Sequence, residues 1–151
     1  MATNQKQPTE ELMAQECLIV RLRMLNRVVT NIYDDALRPL GMKASQLNVL
    51  VATALRGPVR PADICERLQL DPSTLSRNVE RMKAKGWLEV VPDEDGRAQP
   101  IQLTAAGRRL LEQAQPAWEQ AQQTVRNMLG DDVSDVVLQA ASRLDSGESV
   151  A

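Results

Sequence analysis

Between Ser73 and Arg97 the chain places three hydroxyls, three guanidiniums and a carboxylate whose chemistry is recognition: Ser73, Thr74, Ser76, Arg77, Arg81, Asp95 and Arg97. A guanidinium offers parallel N–H donors that match a guanine edge or a phosphate, and a hydroxyl can serve either. None of the seven stands beside a histidine base, because the chain contains no histidine. The ligand this set suits is a polyanion with readable edges. Each residue alone has a plainer explanation. Small polar residues open most capped helices, and basic ones keep helix surfaces solvated.

The elements that must carry these side chains change that balance. Asp71 is a good N-cap and Pro72 suits the first helical position, so a helix is expected from there to about Lys85. On a helical wheel Leu75, Val79 and Met82 fall together and should pack inward onto Ile64, Leu68 and Leu70. The opposite face carries Ser73, Arg77, Glu80 and Arg81, flanked by Thr74, Ser76, Asn78 and Lys85. A short helix from Pro61 to Leu68 and a tight turn at Gln69-Leu70 come before it, which is a helix-turn-helix. After the Gly86 C-cap, Trp87–Val91 and Pro100–Leu103 read as paired strands joined by the charged tip from Pro92 to Arg97. Thr104 caps the next helix.

This is the order of a DNA-reading helix followed by a wing. In that arrangement Ser73–Arg77, the first turns of the helix, face base edges in the major groove. Arg97 would enter the adjacent minor groove, its guanidinium held by Asp95.

The flanks read as helices with more apolar surface than one chain needs. Leu18, Leu22, Leu25, Val29, Ile32 and Ala36 recur at three- and four-residue spacing in one long helix from about Glu10 to Leu37, which Pro39 and Gly41 end. A second helix is expected over about Ser45–Arg56. Leu110, Ala114, Ala117, Ala121, Val125 and Met128 form a near-heptad seam after Thr104, with a kink expected at Pro116. Val133, Val136, Val137, Ala140 and Leu144 mark a last helix. The expected plan is mainly α (α+β). It has a flexible arm at 1–9, an N-terminal dimerisation helix at 10–40, a winged helix-turn-helix at 41–104, C-terminal dimerisation helices at 105–145 and a flexible tail at 146–151.

Composition narrows the function classes. With 151 residues, 43% apolar and 25% charged, the chain can bury one ordinary core. The lack of histidine excludes Ser-His-Asp and Cys-His catalysis, and no glycine-rich phosphate loop is present, so no enzyme, cofactor or metal site is expected. Two cysteines 48 positions apart make no disulfide framework. No signal peptide or membrane span is evident, so the expected location is the cytoplasm. A net charge of −2 runs against nucleic acid until its distribution is considered. Residues 110–151 carry two basic and seven acidic side chains, so the acid excess lies away from the reading helix.

The chain resembles the MarR family of bacterial transcription regulators over roughly residues 10–145. The motifs are Gln46-Leu47-Asn48-Val49-Leu50, Asp71-Pro72-Ser73-Thr74-Leu75-Ser76-Arg77, Gly86-Trp87-Leu88, and Asp95-Gly96-Arg97 through Leu103-Thr104-Ala105-Ala106-Gly107. The resemblance implies a homodimer of winged helices clasped by first and last helices on a pseudo-palindromic double-stranded operator. It matches Ser73, Thr74, Ser76 and Arg77 to groove-contacting positions, and Asp95 and Arg97 to the wing pair. Lys43 and Arg60 depart from the family's frequent Ser/Thr caps, with Arg60 a further candidate phosphate contact, and Trp87 stands where Leu is common.

Regulators of this family are usually released by an aromatic acid or by cysteine oxidation. The expected function is therefore a repressor relieved by a small, perhaps aromatic, effector. Arg21, Arg23 and Arg27 could meet its carboxylate or simply solvate a helix. Two alternatives stay open: a thiol-based redox regulator using Cys17, and a winged-helix module that binds protein. The family's redox branch carries its cysteine at a position matching Ile19 here, about 200° round the helix from Cys17, so Cys17 faces elsewhere. Tyr33 matches one supporting tyrosine of that branch, while Arg23 occupies the place of the other.

Overall fold

The computed structural model describes residues 8–93 and 96–145, so the tail, nearly all of the arm, and Asp95 of the wing lie outside the described residues. The helices are α1 (Thr9–Glu16), α2 (Leu18–Leu37), α3 (Ala44–Arg56), α4 (Pro61–Leu68), α5 (Pro72–Ala84), α6 (Ala105–Leu129) and α7 (Asp131–Asp145). Strands β1 (Leu88–Val90) and β2 (Ile101–Leu103) pair antiparallel, with Leu88 opposite Leu103 and Val90 opposite Ile101. Among the described residues, no helix is long and apolar enough to cross a membrane.

The core is assembled from the middle of the chain. Leu37, Met42, Val49, Leu50, Ile64, Leu75, Met82 and Ile101 are at most 2% exposed and form one cluster, joined from α6 by Leu110 and Ala114. Leu75, Val79 and Met82 are buried as the wheel requires, with Ile64 in the same cluster and Leu68 and Leu70 packed against it. Burying that stripe turns the polar face of α5 outward.

Local chemistry explains the joints. Gln69 adopts the left-handed conformation (φ 51°) and the Leu70 amide reaches back to the Cys65 carbonyl at 2.9 Å, closing α4 abruptly enough for α5 to start at Pro72. The α3 N-terminus, where Lys43 offers no acceptor, is capped from two other places. Gln46 Oε1 accepts the Lys43 amide at 3.0 Å, and Asp34 Oδ1 from α2 accepts the Ala44 amide at 2.8 Å. At α4 Pro61 fills the first position and Arg60 pairs with Asp63 at 3.2 Å.

Four features differ from or extend the sequence expectation. The first long helix is interrupted at Cys17, which is extended (φ −71°, ψ 103°) and separates α1 from α2. No glycine or proline stands there, and nothing in the local sequence explains the break. Arg21 Nη2 donates to the Ala14 carbonyl at 3.2 Å across it. The N-terminal segment 10–40 is thus two helices and a 3-10 turn at Arg38–Leu40. The wheel argument for Cys17 assumed an unbroken helix and does not fix where the thiol points. Second, Val59 forms a two-bond bridge with Ile101, 2.9 Å each way, adding a third fragment to the wing's base. Third, α6 runs from Ala105 to Leu129 as one helix through Pro116. Fourth, Arg126 forks to Asp131 and Asp135 at 3.2 and 3.1 Å, tying the α6–α7 corner.

Candidate nucleic-acid interface

Asp71 organises the leading end of α5. Its Oδ2 accepts the Ser73 amide at 3.0 Å, the Thr74 amide at 3.2 Å and the Ser73 hydroxyl. The Ser73 hydroxyl, foremost, with the Thr74 and Ser73 amides and the Arg77 charge, holds the Asp71 carboxyl below the usual carboxylate range against a small opposing effect of burial. This arrangement alters the expected chemistry. The Ser73 and Thr74 amides at the helix start, a natural seat for phosphate, are already committed to a carboxylate. The Ser73 proton is committed as well, which leaves Ser73 its lone pairs.

The rest of the face remains open. Ser73, Ser76, Arg77 and Arg81 are exposed, while Thr74 is half-buried. Arg77 lays its Nε against the Ser73 carbonyl at 3.3 Å, which leaves its two terminal nitrogens without intramolecular partners among the described residues. Arg81 makes no ion pair among the described residues. Glu80 is neutralised along the helix by Lys83 at 3.1 Å, so the acidic residue on the face does not repel an anion at full strength.

At the wing, Gly96 is in the left-handed region (φ 65°), and Arg97 beside it is exposed. Asp93, which sequence reasoning passed over, shapes this turn. Its carbonyl accepts the Gly96 amide at 3.0 Å and its Oδ2 accepts the Ala98 amide at 3.3 Å. An Asp three residues before a Gly is a common turn signal, and could have identified it. The ladder extends past the strands, with Val91 bonded to Pro100 at 2.8 Å and Thr104 to Trp87 at 3.1 Å. Ser73, Arg77 and Arg81 therefore share the open face of α5, with Arg97 beyond the end of the adjoining hairpin.

Two clefts flank this reader. One, of about 490 Å³, lies among α3, α4 and α6 and is lined mainly by apolar side chains, including Leu47, Val51, Leu55, Leu111 and Trp118, with Arg67, Asn48 and Gln115 as its polar members. The other, of about 480 Å³, lies between α4, α5 and the wing and includes Cys65, Ser76 and Lys83.

The two cysteines stand in different surroundings. Burial, and then the Asp71 charge, push the Cys65 thiol up, opposite to the shift a reactive thiolate needs. Cys17 is half-buried at the helix break, and Arg21, one turn on, donates to the Ala14 carbonyl. Tyr33 donates its hydroxyl to Gln122 on α6, and burial pushes its pKa up.

Comparison with known proteins is consistent with this geometry. Residues 40–98, from the end of the 3-10 turn to the wing, match the model described as MarR family. The multiple antibiotic resistance protein MarR of Salmonella typhimurium is 29% identical over 114 residues, covering 74% of this chain and 79% of that protein. The Mycobacterium tuberculosis transcriptional regulator MosR, solved in complex with DNA, is 30% identical, with a TM-score of 0.74 over 87% of this chain and 98% of that one. Bordetella bronchiseptica BpsR, whose structure is described as showing regulation of DNA binding by 6-hydroxynicotinic acid, is 25% identical, with a TM-score of 0.74 over 86% and 95%. A match laid over the helix-turn-helix and wing, and a relative at 30% identity across nearly its whole length, establish that this chain belongs to the MarR family of transcription regulators.

Proposed function

We propose that the chain is a homodimeric, sequence-specific repressor that binds a pseudo-palindromic operator through α5 and the wing, and that a small apolar or aromatic acid relieves it. The observation that carries this reading is the outward face of α5, where Ser73, Arg77 and Arg81 stand exposed opposite the buried Leu75–Val79–Met82 stripe. In the complex Arg77 reads a base edge in the major groove, Ser76 and Arg81 add contacts, and Thr74 sits at the groove wall. Arg97, steadied by Asp95, enters the minor groove.

The dimer is supported by apolar surface that one copy leaves uncovered. Leu18, Leu22 and Val136 are 75, 62 and 62% exposed, on the terminal helices. Release by a small acid is supported by the 490 Å³ cleft, which joins α3 and α4 of the reader to α6 and offers the Arg67 guanidinium beside apolar walls. The 6-hydroxynicotinic acid named as regulating BpsR is an acid of that chemistry.

A random-sequence duplex selection with the full chain tests the reading. Recovery of a two-fold related motif is expected. Arg97→Ala should then weaken binding about tenfold and lower the slope of log affinity against log salt by about one. No enriched motif, or an Arg97→Ala variant with unchanged affinity and slope, would sink it. Aromatic carboxylates should release the duplex in the same assay.

A further inference from the structure

We infer that Lys85 is a positioning residue: a strut that fixes the trailing end of α5 to the corner where α2 ends, and so sets the angle at which the leading end meets DNA. This rests on the DNA-binding reading above. The sequence places Lys85 beside the reading face. The structure instead lays its side chain, still exposed, along the protein surface. Lys85 Nζ donates to the Gly41 carbonyl at 2.6 Å, across 44 positions of sequence, and lies 4.4 Å from the centre of the Trp87 ring. Gly41 (φ 64°) closes the 3-10 turn after α2, its amide bonded to the Arg38 carbonyl at 2.9 Å.

The next two residues are fastened to the other long helix. Thr104, the cap of α6, donates its hydroxyl to the Gly86 carbonyl at 2.6 Å and its amide to the Trp87 carbonyl at 3.1 Å. A Cβ added at Gly107 would stand 2.1 Å from that same carbonyl, so α6 lies directly against it. Lys85, Gly86 and Trp87 therefore join the end of α5 to α2 through one contact and to α6 through three. The α6 contacts are one short hydroxyl bond, one backbone bond and one close backbone approach. The α2 contact is a single flexible side chain, and is the part that substitution can remove without dismantling the joint.

The geometry gives the strut leverage. From Lys85 to Ser73 is roughly 18 Å along the helix, so a tilt of about 10° moves the reading end by roughly 3 Å, close to one base-pair step. In a dimer that error enters twice, once in each half-site.

The test uses the full chain, with Lys85→Met and Lys85→Arg, on duplexes recovered from the selection and remade with one base pair more or fewer between half-sites. Wild type should prefer one spacing sharply. Lys85→Met should lose about fivefold at that spacing, the size of one exposed contact, and discriminate less between spacings. Its salt slope should stay unchanged, because no phosphate contact is lost. Lys85→Arg should restore both affinity and spacing preference. A slope lower by about one with the spacing preference intact would make Lys85 a phosphate contact and overturn the strut, as would an unaltered affinity and spacing profile. Amide hydrogen exchange without DNA reads the joint separately: residues 84–88 should exchange faster in Lys85→Met, and equal exchange would overturn the strut. Failure of the wild-type chain to select any duplex would overturn the DNA-binding reading instead, and leave exchange to decide the strut.

Discussion

The winged region and the terminal helices use the same kinds of residue in opposite ways. From Leu37 to Ala114 most large aliphatic side chains close into a single core, while Val51, Leu55, Val90 and the polar face of α5 remain outside. In α1, the first half of α2, and α7, the aliphatic side chains are the exposed ones: Met13, Leu18, Ile19, Leu22, Val133 and Val136 are each 49% or more accessible. The first region is complete within one chain, whereas the second is a surface that water disfavours until something covers it. Closing the core and covering that surface are therefore separable, and substitutions in the two regions should fail differently.

The largest expected effect lies in the first region. Leu50 is fully buried, and Leu50→Ala should cost about 3 kcal/mol, seen as a lower urea midpoint whatever the protein concentration. A loss that disappears at high concentration would tie this core to assembly and break the comparison. Leu22→Asp, on the other side, should leave helical content near that of wild type and yield monomers by light scattering at about 10 µM. Loss of the folded chain instead would show that the winged region does not stand without its partner. The smallest effect sharpens the comparison within the reader. Asp71→Ala should lower the melting temperature, by an amount that depends on pH but not on concentration. Because the folded-state pKa of Asp71 is depressed, its stabilisation is fully present above the ordinary aspartate value of about 3.9 and is lost as pH falls through the folded value. The gap between variant and wild type should therefore close in acid. A gap independent of pH would mean that the carboxylate charge contributes nothing to the cap.

The sequence disclosed whatever depends on neighbours a few residues apart. Helical spacing located α3, α5, α6 and α7, and the pairs Asp71-Pro72 and Leu103-Thr104 marked two helix starts, because caps and stripes are local physics. The hidden features depended on distant partners or on single residues. Asp34 caps a helix ten positions away, and Lys85 finds its acceptor 44 positions away. Val59, between Gly57-Pro58 and Arg60, is one residue of strand, too short for any periodicity to register. The break at Cys17 has no glycine or proline to announce it. At the interface the residue types were legible, but not which of their donors were already engaged.

That last distinction bears on which bases the protein can prefer. On the proposed reading, Ser73, with its proton bound to Asp71, would meet the groove as an acceptor only. A base that meets it must bring an amino group, which adenine and cytosine offer in the major groove and guanine and thymine do not. Arg77, one turn further on, has only donors and favours the guanine edge. The two side chains then ask for different letters at neighbouring steps, and a selected half-site with guanine or thymine opposite Ser73 would contradict this. The bond that begins the helix would thus also write part of the operator.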